Sequence, residues 1–173
     1  MSATPQRACI GLGSNLAEPE YQILQAFDEL ARLPHTHLVA CSSLYRSAPV
    51  GYADQPDFVN AVALLDTTLT PSQLLHALFE LEHRHGRERT FRNAPRILDL
   101  DLLLYDGLIC HEPGLTLPHP RMHERAFVLQ PLLEIAPECL IPGRGAAAQW
   151  LESCGEQAVE RMEYPVEARR ASA

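Results

Sequence analysis

The run from Arg84 to Asp101 holds the densest cluster of side chains able to do chemistry together. In an extended chain, side-chain alternation places Asp99 and Asp101 on one face with Cα atoms about 6.6 Å apart, while Leu98, Leu100 and Leu102 turn the other way, toward a core. Two carboxylates this close repel each other when partly buried, and a divalent cation is the usual compensation. A donor set of oxygens alone favours Mg²⁺ over zinc. Taken alone, the pair fits the solvated polar face of an edge strand equally well. Just upstream stand Arg84, Arg87, Arg89, Arg92 and Arg96 with a single acid, Glu88, a local charge of +4 in a chain whose net charge is −8. An arginine run by itself reads as a solvated loop. Joined to the aspartates, it matches a polyphosphate with its magnesium, guanidinium forks on the phosphate oxygens and carboxylates on the metal.

Other candidates are less specific. Gly11-Leu12-Gly13-Ser14-Asn15-Leu16 begins like a dinucleotide fingerprint, but Leu16 occupies the final glycine position, so a tight turn after a strand is the reading adopted. His35/His37 and His83/His85 have ordinary explanations, a loop-to-strand junction and a helix C-terminus. The loop from Ser47 to Phe58, with Asn60 beyond it, can line a pocket for a flat ligand, because phenylalanine offers a stacking face and asparagine both a donor and an acceptor. Phe58 alone fits core packing as well. His119, Arg125 and Phe127 supply one more histidine, arginine and aromatic.

The elements that must position these residues follow from periodicity. Ala8–Leu12 reads as a buried strand, Glu20–Leu33 as an amphipathic helix stopped by Pro34, His37–Tyr45 as a strand, and Phe58–Leu65 as another. Thr70-Pro71-Ser72-Gln73 carries a capping box with proline at the first helical position, opening a helix that Gly86 ends. Ile97–Tyr105 reads as a strand, with Asp106-Gly107 signalling a hairpin into Leu108-Ile109-Cys110. Shorter helical pieces follow within Pro118–Glu134 and Ala146–Leu151, and the tail from Glu163 is polar. This order predicts an α+β fold, a mostly antiparallel, ferredoxin-like split sheet with helices on its faces, in one domain spanning 1–173.

Composition narrows the classes. The 173 residues are 46% hydrophobic and 21% charged, as in a globular protein, with no apolar run near bilayer length. Soluble, cytoplasmic behaviour is expected. All fourteen basic residues are arginine, which removes phosphate-loop lysines and Schiff-base chemistry. The acidic balance argues against nucleic-acid or membrane partners. Cys9, Cys41, Cys110, Cys139 and Cys154 are scattered, odd in number and without a C-x-x-C pair, so reduced, buried thiols are expected.

The motif Arg92-Asn93-Ala94-Pro95-Arg96-Ile97-Leu98-Asp99-Leu100-Asp101-Leu102-Leu103 resembles the signature of the 6-hydroxymethyl-7,8-dihydropterin pyrophosphokinases of the folate pathway. Further matches occur in order: Gly11–Asn15, Ser43–Ser47, Asp54–Asn60, Glu82 with Gly86-Arg87, and Leu117-Pro118-His119, within about Ala8–Pro142. The resemblance implies ATP as co-substrate, two Mg²⁺ ions, and transfer of an intact diphosphoryl group to the pterin hydroxymethyl oxygen with release of AMP, by a monomer. It implies Asp99 and Asp101 as metal ligands, catalytic together with Arg87 and Arg96. Arg89, His119 and Arg125 would be further phosphate contacts, with Leu75, Leu102, Leu115 and Thr116 around adenine. Phe58 and Phe127 would sandwich the pterin, whose edge Asn60 and the segment Ser47, Ala48, Pro49 and Val50 would read. Pro120 and Asn93 depart from residues seen in some members. Two alternatives come from other classes: a metal-dependent nucleotidyltransferase or phosphohydrolase, which could use the same D-x-D strand and arginines, and a non-catalytic ferredoxin-like ligand-binding module, which would need no paired carboxylates.

Overall fold

The structure is a computed structural model, and it describes residues 3–49, 53–86 and 97–163. In chain order its main elements are β1 (Gln6–Ser14), α1 (Pro19–Ala31), β2 (Thr36–Cys41), β3 (Tyr45–Ser47), β4 (Phe58–Thr67), α2 (Pro71–Arg84) and β5 (Asp99–Tyr105). They are followed by β6 (Cys110–Glu112), β7 (Leu115–Leu117), a 3-10 turn (Met122–Glu124), α3 (Ala126–Ile135), β8 (Leu140–Ile141), β9 (Gly145–Ala146), α4 (Ala147–Glu152) and β10 (Val159–Arg161). A six-stranded sheet runs β10-β3-β4-β1-β5, with β2 also on β4, and every pairing within it is antiparallel. This is the α+β, mostly antiparallel architecture expected from the order of elements.

Alternation along the strands divides the core between the two sheet faces. Ala8, Ile10, Leu12, Ala61, Ala63 and Leu65 pack with Ile23, Phe27 and Leu30 of α1 and Leu74, Leu78 and Leu81 of α2. Cys9, Val62 and Leu64 face the other way, toward Leu129 and Leu132 of α3 and Ala147 of α4. Helix α2 starts as its sequence dictates: the Thr70 hydroxyl accepts from the Gln73 backbone N–H at 3.2 Å, and the Gln73 side chain accepts from the Thr70 N–H at 2.9 Å. In β5 the run Leu102-Leu103-Leu104 breaks strict alternation. A register shift against Cys9 and Ile10 absorbs the extra residue, so Leu102 stays in one core while Leu103 and Leu104 enter the other.

Three local expectations are corrected. His37–Tyr45 is two strands, because at 42–44 the chain leaves the ladder; Ser42 instead donates its N–H to Val62 O and accepts the Val62 N–H on its hydroxyl, both at 2.9 Å. The first strand runs past Leu12 to Ser14, so Gly13 joins Gly11 inside β1, between β4 and β5, rather than opening a tight turn. The turn at Asp106-Gly107 does form, with Leu108 N–H on Tyr105 O at 3.0 Å, but β6 pairs with β7 and not back onto β5. A turn signal specifies the reversal of direction; which strand is met next depends on where apolar side chains find cover.

Candidate active site

Two clefts meet at Asp99 and Asp101, which line both. Their side chains stand half-buried on the α3 face of β5, while Leu98, Leu100 and Leu102 are at most 5% exposed in the opposite core. The alternation argument therefore describes the local geometry. Directly across the ladder, Gly13 pairs with Asp99 and Gly11 with Asp101, so the strand beside the carboxylates carries no side chains over the cleft floor. A Cβ on Gly13 would make an ordinary contact 3.5 Å from Asn60 Oδ1, whereas one on Gly11 would sit 3.3 Å from Leu103, tight enough to crowd the floor. That close approach is the reason for glycine in the interior of a central strand.

The first cleft encloses about 880 Å³, its open mouth included, between Ser47, Ala48, Phe58 and Asn60 on one wall and Arg121, Arg125, Phe127 and Val128 on the other. Asn60 is 4% exposed and donates from Nδ2 to the Ser47 hydroxyl at 2.7 Å, which fixes its amide plane with Oδ1 over Gly13. Asn15, 2% exposed, donates to Gln55 Oε1 at 2.8 Å and to Pro56 O at 3.0 Å, holding the loop that leads into Phe58. The Arg125 guanidinium lies 5.5 Å from the Phe127 ring centroid, a cation–π arrangement that orients both side chains.

The second cleft, about 740 Å³ on the same measure, lies between α2 and the β6–β7 hairpin. Leu75, Phe79, Glu82, Leu102, Gly114, Leu115, Thr116, His119 and Pro120 line it. The His119 backbone N–H is held by Leu103 O at 2.9 Å, and its Nδ1 accepts the Arg121 N–H at 3.2 Å. Burial, then the positive charge of Arg125, lower the His119 pKa to about 4, outweighing the attraction of Asp99. The ring is thus neutral near pH 7, and with Nδ1 accepting, its proton resides on Nε2.

Of the residues singled out from sequence, the first cleft gathers Ser47, Ala48, Phe58, Asn60, Arg125 and Phe127, and the second gathers Leu75, Leu102, Leu115, Thr116 and His119. Pro49 does not line the first cleft. Val50, Arg87, Arg89, Arg92 and Arg96 lie outside the described residues. Sequence reasoning missed Gly11, Gly13 and Arg121 in the first cleft and Phe79 in the second. Phe79 had a signal, since Leu75, Phe79 and Glu82 fall at helical spacing on one face of α2. His85 bonds Gln22 through Nδ1 and Glu29 through Nε2, a local structural role for that histidine. Among the described residues no group of three or more His, Cys, Asp or Glu side chains is placed to hold a metal. No disulfide joins any of the five cysteines; Cys9 and Cys154 are buried, and Cys41, Cys110 and Cys139 partly so.

Comparison with known proteins gives one consistent result. The profile of the family described as 7,8-dihydro-6-hydroxymethylpterin-pyrophosphokinase (HPPK) matches residues 9–137. A 2-amino-4-hydroxy-6-hydroxymethyldihydropteridine pyrophosphokinase from Pseudomonas aeruginosa is 49% identical over 157 residues, covering 91% of this chain and 97% of the relative. One of the same name from Haemophilus influenzae is 48% identical over 78% of this chain and 84% of its own. Among solved structures, the Plasmodium falciparum HPPK-DHPS wild type with pteroate superposes with a TM-score of 0.67 at 13% identity, over 88% of this chain and 43% of that one. This chain therefore spans less than half of that solved chain, and the likeness concerns the fold.

Proposed function

The chain belongs to the 7,8-dihydro-6-hydroxymethylpterin-pyrophosphokinase family, and from that membership we propose how its own residues divide the work. The reaction is ATP-dependent transfer of a diphosphoryl group to the hydroxymethyl oxygen of 6-hydroxymethyl-7,8-dihydropterin, releasing AMP, in folate biosynthesis. The observation that carries the assignment of roles is the convergence of two clefts on one pair of carboxylates. A donor and an acceptor substrate need separate pockets and one shared reacting centre.

The first cleft is read as the pterin site. Phe58 and Phe127 present ring faces to a flat heterocycle, and Asn60 presents Oδ1 as an acceptor while its Nδ2 is held by Ser47. The second cleft is read as the nucleotide site, with Leu75, Leu102 and Leu115 covering the base and Thr116 offering a hydroxyl. His119, neutral, donates a hydrogen bond from its Nε2–H to a phosphate oxygen. Arg125 orients phosphate from the pterin side, and Arg87, Arg89 and Arg96 complete its neutralisation. Asp99 and Asp101 suit two Mg²⁺ ions, because Mg²⁺ takes one or two carboxylates and fills its remaining positions with substrate phosphates and water. When bound, the metal supplies charge neutralisation of the polyphosphate and Lewis-acid activation at the reacting oxygens.

Among the described residues no helix is long and apolar enough to cross a membrane. We read the chain as one domain, acting as a cytoplasmic monomer on small molecules. The test is phosphorus NMR of the purified protein with ATP, Mg²⁺ and the pterin, omitting the pterin as control. Pterin-dependent AMP with a diphosphorylated pterin supports the reading, whereas ADP or free diphosphate would move the chain to another phosphoryl or nucleotidyl transfer.

A further inference from the structure

The segment beyond residue 137, the end of the family match, reaches both walls of the first cleft. Gln157 Oε1 accepts the Ala126 N–H at 2.9 Å, and its Nε2 donates to Glu124 O at 2.8 Å. These bonds bracket Arg125, which lines the cleft and is the residue before α3. No side chain of the neighbouring sequence caps that helix start, so the cap comes from a residue 31 positions away. Two residues further on, β10 pairs Val159 with Ser47, and Met162 N–H bonds Leu44 O at 2.8 Å, so the same short segment is stitched to the opposite wall. The 3-10 turn that joins Arg121 to Arg125 in the second wall is seated from the part of the chain beyond residue 137: His123 meets Trp150 edge-on with centroids 4.8 Å apart, and Trp150 Nε1 donates to Arg144 O.

We propose that residues 157–161 are a clasp that sets the spacing of the pterin cleft, with Gln157 as the positioning residue for Arg125 and Phe127. This rests on reading the first cleft as the pterin site. Gln157 is solvent-exposed, so its contribution is position rather than buried area. The far end of α3 has its own anchor, since Glu134 accepts from the Ser43 N–H at 2.9 Å and from the Tyr45 hydroxyl at 2.5 Å. Loss of the clasp should therefore loosen the cleft end of α3 while the helix stays docked.

The experiment measures pterin affinity, with a non-hydrolysable ATP analogue present, and analogue affinity for the wild type, Gln157→Ala, Gln157→Glu and Phe127→Ala. Gln157→Ala is expected to weaken pterin binding about fivefold, through Phe127 and the cleft spacing, and analogue binding only about twofold, through Arg125 at the phosphates. Gln157→Glu keeps an acceptor for Ala126 but sets a carboxylate oxygen against Glu124 O in place of the donor, so it should weaken pterin binding at least as much as Gln157→Ala. Unchanged pterin affinity in Gln157→Ala, while Phe127→Ala weakens it, overturns the clasp and leaves the pterin site standing. Equal loss of both ligands, or failure of both Gln157 variants to fold, makes the residue merely structural and also overturns the proposal. An unaffected Phe127→Ala would remove the pterin-site reading and the clasp together.

Discussion

The two clefts share Asp99 and Asp101 yet are built in opposite ways. The first is assembled from five separated stretches, β1, β3, β4, β5 and the segment 121–128, and its polar groups are held by one another: Asn60 by Ser47, Asn15 by the loop before Phe58. The second draws on helix α2, strand β5 and the β6–β7 hairpin with the residues just after it, and its lining is leucine-rich, with Phe79 46% exposed at its edge. The contrast fits the two substrates. A small flat heterocycle must be told from others by a few fixed hydrogen bonds, which need a preorganised wall. A nucleotide brings most of its binding energy in its phosphates, so its base needs little more than an apolar slot, and charge placed near the carboxylates does the rest.

The sharpest way to break this comparison is at the shared point. Asp101→Ala should lower AMP formation by about 10³-fold or more while leaving the thermal midpoint nearly unchanged, because the carboxylate stands in the cleft and not in either core. Substantial turnover in a folded Asp101→Ala protein would separate the clefts from the chemistry. Next in size is a crossed pair. Phe127→Ala should weaken pterin binding about tenfold with nucleotide affinity retained, and Leu75→Ala should weaken nucleotide binding about threefold with pterin affinity retained. Titration calorimetry on both variants would contradict the division of labour if either effect crossed to the other ligand.

The third test uses pH. The folded pKa of His119 is lowered to about 4, below its ordinary value near 6.5, so between those values the unfolded chain binds more protons than the folded one. Its contribution to stability is therefore complete above about pH 6.5, declines as pH falls toward 4, and is flat below that. Denaturant titrations should show this slope in the wild type and a shallower one in His119→Gln. An identical slope would mean that His119 is not held neutral in the second cleft. Smallest is Thr70→Ala, which removes the acceptor for the Gln73 N–H at the start of α2. It should cost about 1 kcal/mol in chemical denaturation and leave pterin affinity alone, since α2 lines only the second cleft.

Local chemistry was readable wherever it was written in neighbouring residues. The D-x-D alternation, the capping box of α2, the turn at Asp106-Gly107 and the apolar faces of α1 and α2 all follow from periods of two or 3.6 and from side chains that reach their own backbone. The order of these elements was enough to anticipate an antiparallel α+β sheet, and the motif string was enough to point to the family. What remained hidden involves partners far apart in the chain. Gly13 looks like the start of a turn until β5 is laid beside β1, where Gly11 and Gly13 fall opposite the aspartates. Arg121 acquires a place only when the 3-10 turn folds against the sheet. Nothing near Arg125 announces that its helix is capped by Gln157. The leucine triplet of β5 states a conflict with alternation, but only pairing with Cys9 and Ile10 shows how it is resolved. Backbone preference and amphipathic period act over a few residues and so belong to the sequence; register, cleft spacing and distant caps are set by which surfaces cover one another, and that is decided when the sheet closes its two cores.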